Sequence, residues 1–268
     1  MAKKYQKRPD DVAARAWSRG YLTPLDLFKV AAWKTGQGLG SLTVNIEEEI
    51  EARTRAAVDC LRPWRGKPVS GLADDAIWED WRETARHAIG ASADRSGLLG
   101  LEGVGYPMAT AILDILDPGV WPVMDRWAVI TVFGTQPGGR PWPGTRWQHA
   151  SAYKAYARHL VTHGAAAWGS SLSVHELDEE AMRLSRNGRP PPVGWNHARL
   201  QARALAGKLD PAAIPSLPRS GSMMPGTGGS CVMRTRRDRH LTRARRATPP
   251  FWRGPCGPAW LTATRRSG

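Results

Sequence analysis

Apolar residues recur along much of the chain at the three- and four-residue spacing of amphipathic helices. The first clear helix is predicted to begin at Thr23, a good N-cap that precedes a proline, and to end near Lys34. A second is predicted to begin at Asn45, where Glu48 completes a variant of the capping box. A third is predicted over residues 74–89, with an apolar stripe of Ile77, Trp81, Ala85 and Ile89.

The second half of the chain continues this pattern. A helix is predicted over residues 147–163, another from the capping box of Ser173 and Glu176, and a last one over residues 195–209. The apolar side of the first of these comprises Tyr153, Tyr156 and Leu160. Alternation typical of a strand never extends beyond four residues, so we predict an all-α fold.

The pattern divides the chain into three parts. Residues 1–20 are polar and mixed, and we expect a flexible arm there. Residues 21–209 contain the periodic segments and are expected to form one helical domain. From residue 210 the periodicity is lost and Pro, Gly, Ser and Arg dominate, so residues 210–268 are expected to be a disordered tail.

The formal net charge of +14 favours a polyanionic partner such as nucleic acid. Residues 211–268 contain eleven Arg and one Asp, so this segment carries +10 of that charge. The tail is interpreted either as a solvated basic segment or as an arm that associates with RNA or DNA. The charge of the helical part is therefore too small to identify a DNA-binding domain by itself.

Three cysteines without paired spacing favour a reducing cytosol over a disulfide framework, and they exclude a four-cysteine iron–sulfur cluster. The basic start of the chain is not followed by an apolar segment typical of a signal peptide. No apolar run approaches the roughly 20 residues that span a bilayer. We expect a cytoplasmic, monomeric protein that does not associate with membranes.

The segment GLLGLEGVGYPMATAIL, residues 97–113, predicts a helix-hairpin-helix. Gly103 and Gly105 are expected to allow a tight turn with positive φ, and Val104 between them to point into the gap between the helices. Gly105 and the residues after it are expected to start a new helix, with Pro107 in its first turn, so free backbone N–H groups would meet a turn without bulky side chains. Such a turn suits one phosphate of a nucleic-acid backbone. The alternative is a plain αα-hairpin with a glycine turn.

This hairpin and the sequence WPVMDRWA that follows at residues 121–128 resemble the helix-hairpin-helix DNA glycosylases, the superfamily of endonuclease III, adenine glycosylase and 8-oxoguanine glycosylase. The similarity is strongest over residues 98–133 and is closest to short bacterial homologues related to an 8-oxoguanine-glycosylase-like group. It implies that DNA is bound through Gly103, Val104, Gly105 and Tyr106.

The resemblance also implies that Asp125 is a catalytic carboxylate, which would stabilise positive charge on the sugar as the bond to the base breaks. The base must first leave the helical stack. Tyr106, Trp121 and Trp127 are candidates for the aromatic side chain that fills the gap. The alternative for Asp125 is a simple helix N-cap.

Two departures from the family pattern change what the resemblance implies. Pro107 occupies the position of the lysine of the lyase-active members, which excludes Schiff-base chemistry at that position, and Glu102 places a negative charge beside the predicted phosphate site. Lys34 is interpreted as an ordinary surface or snorkelling lysine. By family position, the backbone carbonyls of Leu99, Leu101 and Val104 would hold a monovalent cation; no other cofactor is expected.

Two functions therefore remain open from the sequence. The first is a monofunctional DNA glycosylase, a base-excision repair hydrolase that lacks lyase activity. The second is a helix-hairpin-helix module that binds DNA but has lost the chemistry. A helical interaction protein that does not bind DNA is a third possibility.

Overall fold

The computed structural model describes residues 7–34, 39–67, 69, 74–90, 96–135 and 149–205. The prediction of an all-α fold is confirmed, and the predicted tail, residues 210–268, lies outside the described residues. Short 3₁₀ turns cover Arg62–Trp64 and Gly97–Gly100, and a π-helical turn covers Leu160–Gly164. The α-helices are α1 Asp10–Arg19, α2 Pro24–Lys34, α3 Leu39–Leu42, α4 Glu47–Leu61, α5 Asp75–Ile89, α6 Tyr106–Leu116, α7 Arg126–Phe133, α8 Ala150–His159, α9 Ala165–Trp168, α10 Val174–Arg186 and α11 Trp195–Leu205.

Helix α1 corrects the expectation of a flexible arm over residues 1–20, of which residues 1–6 lie outside the described chain. Val12 and Ala16, one helical turn apart, are fully buried, and α1 packs against α6. The indole N–H of Trp17 also donates to the carbonyl of Leu116 at 2.9 Å. The apolar face of α1 is narrow, so the sequence alone does not reveal that α1 is a packed helix; its burial is seen only in the contact with α6.

Helices α6 and α7 form the centre of the fold. Every residue of α6 except Pro107 is buried, as expected for a helix that is apolar on all sides. Helices α1, α2 and α5 pack against α6, whereas α8, α10 and α11 pack against α7. Arg199 and Arg203 of α11 donate to the carbonyls of Thr131 and Phe133, which satisfies acceptors at the end of α7. Helix α6, which follows the hairpin, and helix α7, which Asp125 opens, are thus each packed against several other helices.

An aromatic cluster lies beside α6. Trp81 stacks on Trp121 with ring centroids 4.8 Å apart and contacts Tyr153 at the same distance. The predicted stripe of α5 is right for Trp81, Ala85 and Ile89, but Ile77 is exposed and Trp78 is buried in its place. The buried face of α5 therefore includes position 78 where the sequence pattern predicts position 77.

Two predicted helix starts that depend only on neighbouring residues are confirmed. Helix α2 begins at Pro24, and the capping box of Ser173 and Glu176 opens α10 with both of its hydrogen bonds formed. None of the helices in the described ranges is both long and apolar enough to cross a membrane.

His159, at the end of α8, makes stability depend on pH. Burial, together with nearby His163 and Arg199, lowers the pKa of His159 to about 3 from its usual 6.5. The unfolded chain therefore binds a proton that the folded chain excludes, so this contribution to stability falls as pH drops below 6.5 and continues to fall towards 3. Between pH 7 and pH 5 the expected loss is about 2 kcal/mol.

Urea unfolding of wild type and His159→Gln at both pH values measures this effect. The variant is expected to lose about 2 kcal/mol less than wild type on acidification. His87→Gln, on the exposed side of α5, is the control and should keep the wild-type difference. An unchanged pH dependence in His159→Gln would show that the ring is charged in the folded protein.

Candidate functional site

The predicted hairpin forms a turn whose side chains alternate between core and solvent. Leu101 and Val104 are buried, whereas Glu102, Gly103 and Gly105 face solvent. The helix expected before the turn is only a 3₁₀ turn, Gly97–Gly100, which is a single turn long. The position predicted for Val104, inside the gap between elements, agrees with its burial.

The two hairpin glycines have different roles. Gly103 has φ of +78°, and a Cβ there would lie 3.0 Å from the Cβ of Ser41 and 3.2 Å from the amide nitrogen of Leu42. Gly105 has φ of −87° and ψ of 174°, so the expectation of positive φ at both glycines is wrong. Among the residues that the structure describes, apart from its chain neighbours, a Cβ at Gly105 would meet only Pro107, at 3.9 Å. Gly103 is needed by the fold, while Gly105 keeps open space beside the start of α6.

That open space adjoins backbone donors. The first bonded amides of α6 are those of Met108 and Ala109, both of which donate to the carbonyl of Gly105 at 2.9 Å. The amides of Gly105 and Tyr106 precede this ladder at the positive end of the helix. The ring of Tyr106, in contrast, is buried against Tyr153. A contact of Tyr106 with DNA is therefore restricted to its backbone, which corrects the expectation for its side chain.

Asn45 fixes the turn from outside. Its side-chain amide donates to the carbonyl of Glu102 at 3.0 Å, and its side-chain oxygen accepts from the amide of Glu102 at 2.8 Å. The expectation that Asn45 caps the next helix is wrong, because α4 begins later, after Ile46, without a side-chain cap. The side chain of Asn45 instead bonds to the hairpin backbone, because its amide group can donate to the carbonyl and accept from the N–H of the same residue.

Asp125 is the N-cap of α7, but capping uses only half of its carboxylate. Oδ1 accepts from the amides of Trp127 and Ala128 at 2.8 and 3.0 Å. Oδ2 accepts from Nζ of Lys34 at 3.1 Å, and both side chains are nearly buried, with exposed fractions of 11% for Asp125 and 12% for Lys34. The interpretation of Lys34 as an ordinary surface or snorkelling lysine is therefore wrong, because its amine lies against a nearly buried carboxylate.

A second carboxyl group lies close to this ion pair. Burial, with the nearby charge of Asp125, holds the pKa of Asp178 well above its usual value. Its Oδ1 accepts a hydrogen bond from the hydroxyl of Tyr156. The site therefore combines the amine of Lys34 with two carboxyl groups, one of which is fully inside the core.

The segment that leads to Asp125 is fixed by side chains from three helices. The hydroxyl of Thr110 in α6 accepts from the amide of Met124 at 3.1 Å. Tyr153 of α8 donates to the carbonyl of Pro122 at 2.7 Å, and Trp81 of α5 donates to that of Val120 at 3.3 Å. Because Thr110 belongs to the helix that starts at the hairpin, hairpin and aspartate are held in one rigid arrangement.

The three aromatic candidates for filling a gap in DNA are distinguished by burial. Trp121 and Tyr106 belong to the core, so neither side chain is accessible. Trp127 is 39% exposed, two residues after Asp125, and the guanidinium of Arg126 lies 5.6 Å from its ring centroid. An exposed aromatic ring and an exposed cation therefore stand at the start of α7.

The predicted cation site at the carbonyls of Leu99, Leu101 and Val104 stays a prediction. The carbonyl of Leu101 already accepts from the amide of Val104 at 3.2 Å, which leaves its second lone pair for a cation. Within the described ranges, no group of three or more His, Cys, Asp or Glu side chains is arranged to hold a metal ion.

Two site residues were missed in the sequence, although one carries a signal. Asp178 lies on the buried stripe of α10 with Val174, Leu177 and Ala181, and an acidic residue at an apolar position indicates a special environment. Thr110 offers no such signal, because a threonine inside an apolar helix is compatible with ordinary packing.

Comparison with protein-family models, with curated proteins and with solved structures finds no match to this chain.

Proposed function

We propose that this protein is a DNA glycosylase that hydrolyses the bond between a damaged or mismatched base and its sugar. The observation that carries the proposal is that the two carboxylate oxygens of Asp125 have different partners. Oδ1 caps α7, whereas Oδ2 accepts a hydrogen bond from Lys34. A simple N-cap requires no buried cation at its second oxygen. In the proposal, Oδ2, which takes no part in the cap, is the oxygen that faces the developing positive charge.

The proposed chemistry follows from the charge that the reaction creates. As the glycosidic bond breaks, the sugar ring gains positive charge, and the Oδ2 side of Asp125 stabilises it. The amides of Trp127 and Ala128 hold the carboxylate in place, so little reorganisation is needed as charge develops. A water molecule oriented by the same carboxylate attacks the sugar carbon, and the base leaves.

The proposed grip on DNA uses the backbone rather than the bases. The amides of Gly105 and Tyr106 meet one phosphate at the start of α6, where the glycine leaves room for it. Trp127 enters the stack where the target nucleotide has left. These contacts position the duplex without selecting a sequence.

A binding module without catalysis is the second candidate. It is favoured by Pro107, which removes the amine expected at the hairpin, and by the exposed carboxylate of Glu102 beside the phosphate site. Both features are departures from the pattern of the active enzymes, whereas the tight turn with positive φ at Gly103 is present.

Incubation of the protein with duplexes that each contain one damaged or mismatched base tests the proposal. The expected result is an abasic strand from at least one duplex, detected by mass. Binding without any abasic product would favour the second candidate. Because the Arg-rich residues 219–268 are expected to bind DNA non-specifically through their charge, affinity is measured with and without them. Loss of all binding at low salt in residues 1–218 would exclude both candidates.

Glu102→Gln is expected to strengthen duplex binding about threefold at low salt, because a negative charge next to the phosphate site is removed. The change leaves the backbone clamp of Asn45 intact. Fluorescence anisotropy over a salt series measures it. Glu83→Gln on α5 is the control, and an equal gain there would indicate a general charge effect.

A further inference from the structure

His159, at the end of α8, is a polar ring inside the core. It is 3% exposed, and within the described part of the chain neither ring nitrogen makes a hydrogen bond of normal geometry, although a backbone group of Ala198 lies near the ring. Leaving a buried nitrogen unpaired costs free energy, so buried polar groups in native proteins nearly always have a partner. An apolar ring of similar size would avoid this cost. The position of His159 therefore indicates a ligand that an imidazole can bind.

His163 places a second imidazole beside the first. The two histidines are four positions apart in the chain, and their ring centroids are 4.9 Å apart, with the ring planes inclined by 50°. Two histidines at this spacing lie on one face of a helix and can bind the same metal ion, as in zinc sites with the motif His-Glu-x-x-His. His163 is only partly buried, so the pair has a side that is open to solvent.

The backbone between the two histidines departs from a regular α-helix. Leu160–Gly164 is a π-helical turn, and the amide of Ala165 donates to the carbonyl of Leu160, five residues earlier. Turns of this kind are rare and are frequent at functional sites. The same short segment therefore carries an irregular backbone, an unpaired buried imidazole and a second imidazole next to it.

Aromatic rings pack around the buried member of the pair. The ring of Trp195 in α11 meets that of His159 edge-on, with centroids 4.5 Å apart, and Trp168 of α9 lies 5.2 Å from Trp195. A Cβ at Gly164 would lie 3.2 Å from the ring of Trp168, so the glycine allows this close packing. An apolar shell of this kind limits the access of water to a metal site.

We propose that His159 and His163 bind one divalent transition-metal ion of the copper, nickel or zinc class through one nitrogen of each ring. Imidazole suits these ions, whereas Mg²⁺ and Ca²⁺ prefer oxygen ligands. The described residues provide no cluster of three or more His, Cys, Asp or Glu side chains for a metal, so water fills the remaining coordination positions. The charge of Arg199 lies close enough to His159 to oppose a cation, and we therefore expect a moderate affinity. The inference does not depend on the proposed function.

Isothermal titration of the full chain with Ni²⁺ tests the proposal. Ni²⁺ is used because imidazole binds it well and because, unlike Cu²⁺, it does not oxidise a free thiol such as that of Cys60. His163→Gln removes the partly exposed ligand, and His159→Gln removes the buried one. His87→Gln, on the exposed side of α5, is the matched control for loss of a histidine.

Wild type and His87→Gln are expected to bind one equivalent of Ni²⁺ with equal affinity. Each of the other two variants is expected to bind at least about tenfold more weakly, because losing even an outer partner of a metal ligand costs about 10–100-fold. Circular dichroism checks that the variants fold, and His163→Gln decides the test if His159→Gln does not. Equal affinity in a folded His163→Gln protein, an equal loss in His87→Gln, or no stoichiometric binding by wild type would each overturn the proposal.

Discussion

Asp125→Asn is expected to slow base release by about 10²–10³-fold while DNA affinity is retained or improved. Asparagine is as good an N-cap as aspartate, so α7 keeps its start. The amide, however, has no charge with which to stabilise a positive sugar. Loss of one negative charge next to DNA accounts for the expected small gain in affinity. Single-turnover release of the base and anisotropy on the same duplex measure the two quantities.

Asp74→Asn is the matched control for this substitution. Asp74 caps α5 in the same way, through a bond of 2.7 Å from the amide of Ala76, but it takes no part in the proposed site. It should therefore retain wild-type activity. Full activity in Asp125→Asn, or an equal loss in both variants, would contradict a catalytic role for Asp125.

Gly103→Ala and Gly105→Ala are expected to separate folding from DNA binding. Gly103→Ala should lower the free energy of unfolding by roughly 2 kcal/mol, because alanine disfavours positive φ and its Cβ crowds Ser41. Gly105→Ala should cost less than about 1 kcal/mol, since its backbone is extended and its surroundings are open. Urea unfolding of the two variants measures the difference.

Gly105→Ala should nevertheless weaken duplex binding about tenfold, the cost of losing one charge-assisted hydrogen bond to a phosphate. The added methyl group would stand where the phosphate approaches the amides of Gly105 and Tyr106. Anisotropy on a duplex at low salt, with residues 219–268 removed, measures this loss. Unchanged affinity in a folded Gly105→Ala protein would place the phosphate contact elsewhere.

Features that depend on neighbouring residues could be predicted from the sequence. The capping box of α10 and the start of α2 are local, and both are where the sequence pattern places them. The turn with positive φ at Gly103 and the burial of Val104 could also be predicted, whereas the helix expected before the turn is only a 3₁₀ turn and Gly105 has negative φ.

Features that depend on distant partners could not be predicted in this way. α1 has a narrow apolar stripe that is meaningful only against α6, and Lys34 meets Asp125 only after the whole domain has folded. Asn45 satisfies the expected capping pattern in sequence, yet the polar groups of Glu102 compete successfully for its amide. In each case a tertiary contact decides between local alternatives of similar energy.

In the proposed complex, a nucleotide leaves the DNA stack and reaches Asp125 while the hairpin holds the backbone. Fluorescence of 2-aminopurine next to a lesion tests this most directly, with Asp125→Asn used so that the base is not released. We expect a severalfold rise in fluorescence on binding, and no rise when the probe lies one helical turn away. Saturated binding with equal fluorescence at the two positions would contradict it.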